Sequence, residues 1–306
     1  MKGVLATVSL LLVSLIALGQ QVTVASGKVI RYDQFPSRFV PARTVDVWVP
    51  DSYSADSAYA VVYLHDGQML FDSTGTWNHQ EWCVDEVAPE LMATCNIQNF
   101  IVVGIWNNDI YRHFDYFPQK PFNSLTAAQQ DTVYRSMRSI DSSLAEATIH
   151  SDDYLKFLVY ELKPFIDSTF HTKPGRENTY IAGSSMGGLI SFYALCEYPE
   201  VFGGAACLST HWIGTFSTED NPIPDAFIRY ADAHLPDPAT HRIYFDYGTE
   251  TLDQFYEPYQ ERIDAVMKAK GYTRDQWMTL KFPGKDHSER AWAERLDIPL
   301  VFLLER

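Results

Sequence analysis

Short unbroken apolar runs alternate along this chain with longer stretches in which apolar positions recur every three or four residues. Residues 60–64, 99–106, 179–182 and 204–208 are runs of the first kind, the first two rich in β-branched side chains. They predict strands covered on both faces. Residues 21–33 and 42–50 predict two earlier strands, with Val45, Val47 and Val49 alternating along the second. Residues 242–247 and 277–282 predict two later ones. Helical periodicity appears at 81–92 and at 151–168, where Tyr154, Leu155, Leu158, Leu162, Phe165 and Ile166 share a face. It returns at 187–197, at 253–270 (ended by Gly271) and at 288–304, where Pro299 kinks or breaks the helix. This alternation predicts a mostly parallel central sheet flanked by helices on both faces. Residues 107–150 are polar and irregular. They leave the carboxyl end of a strand, where ligands bind in such sheets, and so predict a wall of a cleft.

The chain has 306 residues, with no repeat or low-complexity stretch. That length fits one large domain over residues 20–306. A hydrophobic content of 46% and a charged content of 21% are ordinary for a globular protein. The net charge of −15 repels phosphate backbones and anionic lipid, which excludes nucleic acid and membrane surfaces as partners. Oligomeric state is left open. Residues 1–19 predict an export signal. Lys2 precedes an apolar run from Val4 to Leu18, and Ala17-Leu18-Gly19 offers a cleavage site before Gln20. An uncleaved anchor is the alternative reading. The signal predicts a periplasmic or secreted protein, in which Cys83, Cys95, Cys196 and Cys207 could pair; their pairing stays open.

The most informative segment is Gly183-Ser184-Ser185-Met186-Gly187, a Gly-x-Ser-x-Gly motif between a predicted strand and a predicted helix. That context marks the nucleophile elbow of the α/β-hydrolase fold. Glycines on either side let neighbouring backbone approach, and the sharp turn lifts the Ser185 hydroxyl above the sheet. The N–H of Met186, at the start of the helix, is the first candidate oxyanion donor.

A serine hydroxyl needs a base, and in this fold the order along the chain is Ser, acid, His. His287 follows the last strand and precedes the last helix, so it is the candidate base. His211, His234 and His241 compete less well: the first precedes the acid segment, and the other two read as polar loop. The acid should follow the strand at 242–247, where Asp253 and Glu250 both qualify. Asp253 is preferred. The second oxyanion donor should come from the loop His65-Asp66-Gly67-Gln68, with the N–H of Gln68 the best placed. Trp82, Arg112, His211 and Trp212 are candidate substrate-binding residues, although either Trp could equally be core and Arg112 could equally pair with Asp115.

Several of these segments together resemble the esterase family that includes esterase D and the enterochelin esterases. They are 61–68 (Val-Val-Tyr-Leu-His-Asp-Gly-Gln), 82–86 (Trp-Cys-Val-Asp-Glu), Gly183 to Gly188, Gly284 to Glu289, and Arg112-x-x-Asp115-Tyr116-x-Pro118. The last has Asp where the family more often has Glu. The resemblance spans roughly residues 40–300 and implies a serine hydrolase of carboxylic esters with no metal or organic cofactor. Members include siderophore, feruloyl and acetyl esterases, S-formylglutathione hydrolases and mycolyl transferases. Export favours acetyl or feruloyl esters of carbohydrates as substrates, with a siderophore ester as the alternative. A serine peptidase, an acyltransferase and a catalytically dead binding protein on the same fold are the competing classes.

Overall fold

In the computed structural model, the described residues are 22–138, 144–215 and 217–306. The expected export signal lies outside them.

Each apolar run forms a strand: β1 Lys28–Phe35, β2 Arg43–Val49, β3 Ala60–His65, β4 Phe100–Ile105, β5 Thr179–Ser184, β6 Gly204–Leu208, β7 Arg242–Gly248 and β8 Trp277–Phe282. They make one eight-stranded sheet in the order β1-β2-β4-β3-β5-β6-β7-β8. β2 pairs antiparallel with β1 and β4, and every other pairing is parallel.

The strands' period of two sorts the sheet into two cores. On one face Val61, Tyr63, Val103, Ile181, Cys207 and Phe245 pack beneath a row of helices. These are α2 Arg112–Tyr116, α3 Gln119–Asn123, α4 Ala127–Arg138, α5 Ser151–Phe157, α6 Lys163–Thr169, α7 Met186–Glu197, α8 Ile223–His234 and α9 Glu257–Ala269. On the other face Val62, Leu64, Val102, Ala182, Leu208 and Tyr244 pack against α1 Val84–Thr94, α10 Glu289–Ala293 and α11 Asp297–Leu304. Successive residues of one strand thus serve opposite cores, which is why the central runs are apolar without interruption.

Three details differ from the sequence reading. The long predicted helix at 151–168 is continuous but has a π-helical turn, Leu158–Leu162, between α5 and α6. The predicted helix 288–304 does break, but upstream of Pro299. That proline sits in the first turn of α11, where a missing N–H costs nothing. α8 covers a stretch whose His234 reads as polar loop, and Pro224 occupies the helix start. His234 accordingly ends a helix and stacks on Tyr230, with ring centroids 4.3 Å apart, while His241 is buried. All four cysteines are free thiols. Among the described residues no helix is long and apolar enough to cross a membrane.

Candidate active site

The carboxyl ends of β3, β5, β6, β7 and β8 open on one edge of the sheet, and the sequence-predicted residues gather there. Ser185 stands between the last residue of β5 and the first of α7, with φ 58° and ψ −120°. A β-carbon residue held at that backbone geometry is strained. Neighbouring contacts enforce it: the Ser185 N–H donates to Leu208 O (2.9 Å), and the His211 N–H donates to Ser185 O (3.2 Å). A side chain on Gly183 would meet the carbonyl carbon of Gly187 at 2.8 Å, so the glycine there is sterically required. Met186 opens α7, and the first N–H groups of a helix have no partner within it.

Two loops carry the histidine and the carboxylate, and they are stitched together. Thr249 and Glu250 N–H both donate to Lys285 O at 3.0 Å, and the His287 N–H donates to Thr251 Oγ1 at 2.9 Å. Gly248 permits this crossing, since a β-carbon there would lie 2.2 Å from Lys285 O. A 3-10 turn, Thr251–Phe255, then buries Asp253 under His287. Nδ1 of His287 lies 2.5 Å from Asp253 Oδ1. The other oxygen, Oδ2, accepts from Ser209 Oγ and from the Gly248 N–H, each at 2.6 Å. Glu250 remains exposed at the head of the turn.

Ser209 is a junction that sequence reasoning missed. Its hydroxyl accepts from Trp292 Nε1 (2.9 Å) and Arg295 Nη2 (3.2 Å) while donating to Asp253. Arg295 in turn holds buried Asp246 by two bonds, of 2.9 and 3.0 Å. The imidazole of His287 is packed edge-on against Trp292 and Tyr256, with ring centroids at 5.0 and 5.8 Å. The Tyr256 phenol lies 2.7 Å from His211 Nδ1. Burial, reinforced by the Asp253 charge, pushes that phenol up and keeps it protonated.

In the loop after β3, Asp66 takes a left-handed conformation (φ 57°, ψ 46°) and Gly67 packs on β4. A side chain on Gly67 would sit 2.5 Å from the Gly104 carbonyl carbon. Gln68 is fixed by its side chain, whose Oε1 accepts from the Asn107 N–H at 3.2 Å. Arg112 grips Asp66 with both ends of its fork, Nε to Oδ1 at 2.7 Å and Nη2 to Oδ2 at 2.6 Å. Burial alone would raise the Asp66 carboxyl. The Arg112 charge and its hydrogen bonds, with that of Asn107, outweigh burial and hold it below its usual range.

These contacts correct three readings. Arg112 pairs with Asp66 rather than Asp115, which is buried with Arg43 (3.0 Å) and His150 (2.6 Å). Its guanidinium lines the cleft but is already engaged. Trp212 is core: it donates to Gln260 Oε1 at 2.8 Å and packs on Phe192, Phe227 and Phe245. His211 is buried beneath the nucleophile, and burial drives it well below its ordinary value, so it is neutral. Trp82 does line the cleft, its ring tilted against that of Trp292 with centroids 5.8 Å apart. The cleft holds about 560 Å³ and brings Ser185, His287, Gln68, Trp82 and Arg112 onto one surface, together with Trp77, Asn78 and Glu289.

Outside the cleft, Glu81, Cys83 and Glu86 place their ligand atoms within 4.8 Å of one another, a geometry that could hold a metal ion. Burial and the adjacent carboxylates push the Cys83 thiol up to about 11, so it is a weak ligand at neutral pH.

A mostly parallel sheet of this order, with a strained serine at the β5–α7 elbow, defines an α/β-hydrolase. The chain belongs to the family described as "Putative esterase", which matches residues 38–298, and is a carboxylic ester hydrolase. The Bacillus subtilis (strain 168) protein named "Uncharacterized protein YbbA" is 22% identical over 242 residues, covering 76% of this chain and 81% of that one. A ferulic acid esterase from Anaeromyces mucronatus, solved with ferulic acid, superposes with a TM-score of 0.61 at 18% identity, covering 93% of each chain. The enterochelin esterase of Shigella flexneri superposes with a TM-score of 0.63 at 17% identity, covering 92% of this chain and 59% of that one.

Proposed function

We propose that this protein is an exported serine esterase that cleaves acetyl or feruloyl esters of carbohydrates. The observation that carries the reading is the 2.5 Å contact between His287 Nδ1 and buried Asp253, on the same cleft as the strained Ser185. Asp253 holds the imidazole in the tautomer with its proton on Nδ1, leaving Nε2 free to accept one. Ser185 Oγ attacks the ester carbonyl carbon as Nε2 takes its proton. The carbonyl oxygen becomes an oxyanion, held by the N–H groups of Met186 and Gln68. The C–O bond to the alcohol then breaks, and His287 returns the proton to the departing oxygen. Water, deprotonated by the same histidine, hydrolyses the acyl-enzyme and regenerates Ser185.

Charge favours a neutral ester over an anionic one. Asp109 and Glu289 line the cleft of a chain with net charge −15, and among the described lining residues the Arg112 guanidinium is cancelled by its partner Asp66. The ferulic acid bound to the Anaeromyces enzyme supports a feruloyl group as one acyl candidate. The test is a panel of acetylated sugars, feruloyl esters, catechol siderophore esters and peptide amides, run with wild type and Ser185→Ala. Wild type should favour the sugar esters, and Ser185→Ala should keep its fold but lose both turnover and fluorophosphonate labelling. Undiminished activity in that variant would overturn the assignment. Export is tested separately: mature protein recovered outside the cytoplasm should begin at Gln20 by mass spectrometry.

A further inference from the structure

The loop between β3 and α1 carries Trp77, which is 82% exposed yet lines the catalytic cleft. An indole left in water forgoes about 1.5–3 kcal/mol of burial, so a fold with two well-filled cores has no packing reason to place it there. A flexible loop could swing such a ring onto the surface at random. This loop is tied down instead. The Trp82 N–H donates to Met69 O at 2.9 Å and the Val84 N–H to Leu70 O at 3.2 Å, so the ends of the loop meet. Asp72 caps an internal 3-10 turn, accepting from the Thr74 N–H at 2.9 Å. At the tip, Asn78 Nδ2 donates to Glu289 Oε2 (2.7 Å) and the Arg290 N–H donates to Gln80 Oε1 (3.1 Å). The backbone that carries the indole is therefore held beside the segment that follows His287.

We infer that Trp77 is a stacking platform for a sugar ring in the alcohol half of the ester, a reading that rests on the proposed sugar-esterase function. The chemistry of the rim selects a sugar over an aryl acyl group. A pyranose presents an apolar face of C–H bonds to an indole and keeps hydroxyls around its edge. Asn78 and Glu289, bonded to each other beside Trp77, offer donors and acceptors to those hydroxyls. Such a ring can stack on one face and stay hydrated on the other, which suits an open rim. An aryl group gains most where both faces are enclosed.

The experiment compares wild type, Trp77→Ala and Trp77→Phe on p-nitrophenyl acetate, methyl ferulate and acetylated xylo-oligosaccharides. Trp77→Ala should raise KM for the oligosaccharides about fivefold to tenfold, the worth of one aromatic contact, and leave kcat and both small esters unchanged. Trp77→Phe should recover part of the loss. Equal losses on methyl ferulate and the oligosaccharides would make the occupant an aryl group and overturn the inference, as would no change on any substrate. Wild type that hydrolyses none of the three esters would sink the esterase reading instead. The platform would then be judged by isothermal titration calorimetry with unacetylated xylo-oligosaccharide, where Trp77→Ala must weaken binding for the inference to stand.

Discussion

His287 and Asp253 lie 34 residues apart in the chain and 2.5 Å apart in space, and the carboxylate is wholly buried while the imidazole edges into the cleft. The asymmetry matters. An acid reached by water would be screened and mobile; one fixed by Ser209 and the Gly248 N–H can set both the tautomer and the tilt of the ring.

Asp253→Asn should therefore cost about 10³ to 10⁴ in kcat with little change in KM, by analogy with other triads in which the acid is neutralised. Glu250→Gln should stay within about twofold of wild type, the scatter usual for an exposed charge. Steady-state kinetics on one ester decides between them, and a Glu250→Gln loss as large as that of Asp253→Asn would reverse the choice of acid.

Arg295→Met removes one half of a buried ion pair and leaves the Asp246 carboxylate uncompensated. Breaking such pairs costs about 3–5 kcal/mol, so the midpoint of urea unfolding should fall steeply. Adding Asp246→Asn to that variant should recover part of the loss. The single variant should also lose turnover, because Arg295 shares Ser209 with Asp253.

Gly183→Ala forces a methyl group to within 2.8 Å of the Gly187 carbonyl carbon. Backbone must shift to admit it, at about 1–3 kcal/mol for overpacking. Thermal unfolding should show that loss, and fluorophosphonate labelling should fall further than stability does, because the elbow that presents Ser185 is what moves.

Acid should destabilise the fold through its buried histidines. Burial, partly offset by Asp66, lowers His65 to about 3; burial and the Arg112 charge lower His113 to about 4; burial drives His211 well below its ordinary value. Each of these values lies below that of the unfolded chain, near 6.5. Between the two values the unfolded chain binds the extra proton, so stability is full above pH 6.5 and declines as pH falls toward 4. Unfolding titrations across that window should show proton uptake, reduced by about one proton in a His65→Gln variant. A flat profile would refute the account.

The sheet was legible in the sequence because six of its eight strands, β2 to β7, run between two cores, and burial forces their apolar runs. Ser185 and His287 were legible because fold and chain order leave few alternatives. The acid was legible only as a preference for Asp253, since Glu250 sits at the N-cap of the 3-10 turn that holds Asp253, and the direction of that turn, begun by the left-handed Thr251 (φ 53°), buries the second of them. His211 and Trp212 show the converse limit. A strand end places a residue near the cleft but does not say which way its side chain turns, and here both turn inward. Arg112 had an acid three residues away, yet a bidentate partner 46 residues earlier outcompeted it. Trp77 gave no periodic signal, because a loop tip belongs to no repeating pattern.

The hydrogen bond from Asn78 to Glu289 spans 211 positions of sequence and joins the Trp77 loop to the segment just after the catalytic base candidate. Anyone grafting this loop from a relative to change substrate preference would have to transplant both ends of that bond. A donor loop lacking the amide would arrive unmoored, and the recipient's turnover would drift along with its selectivity.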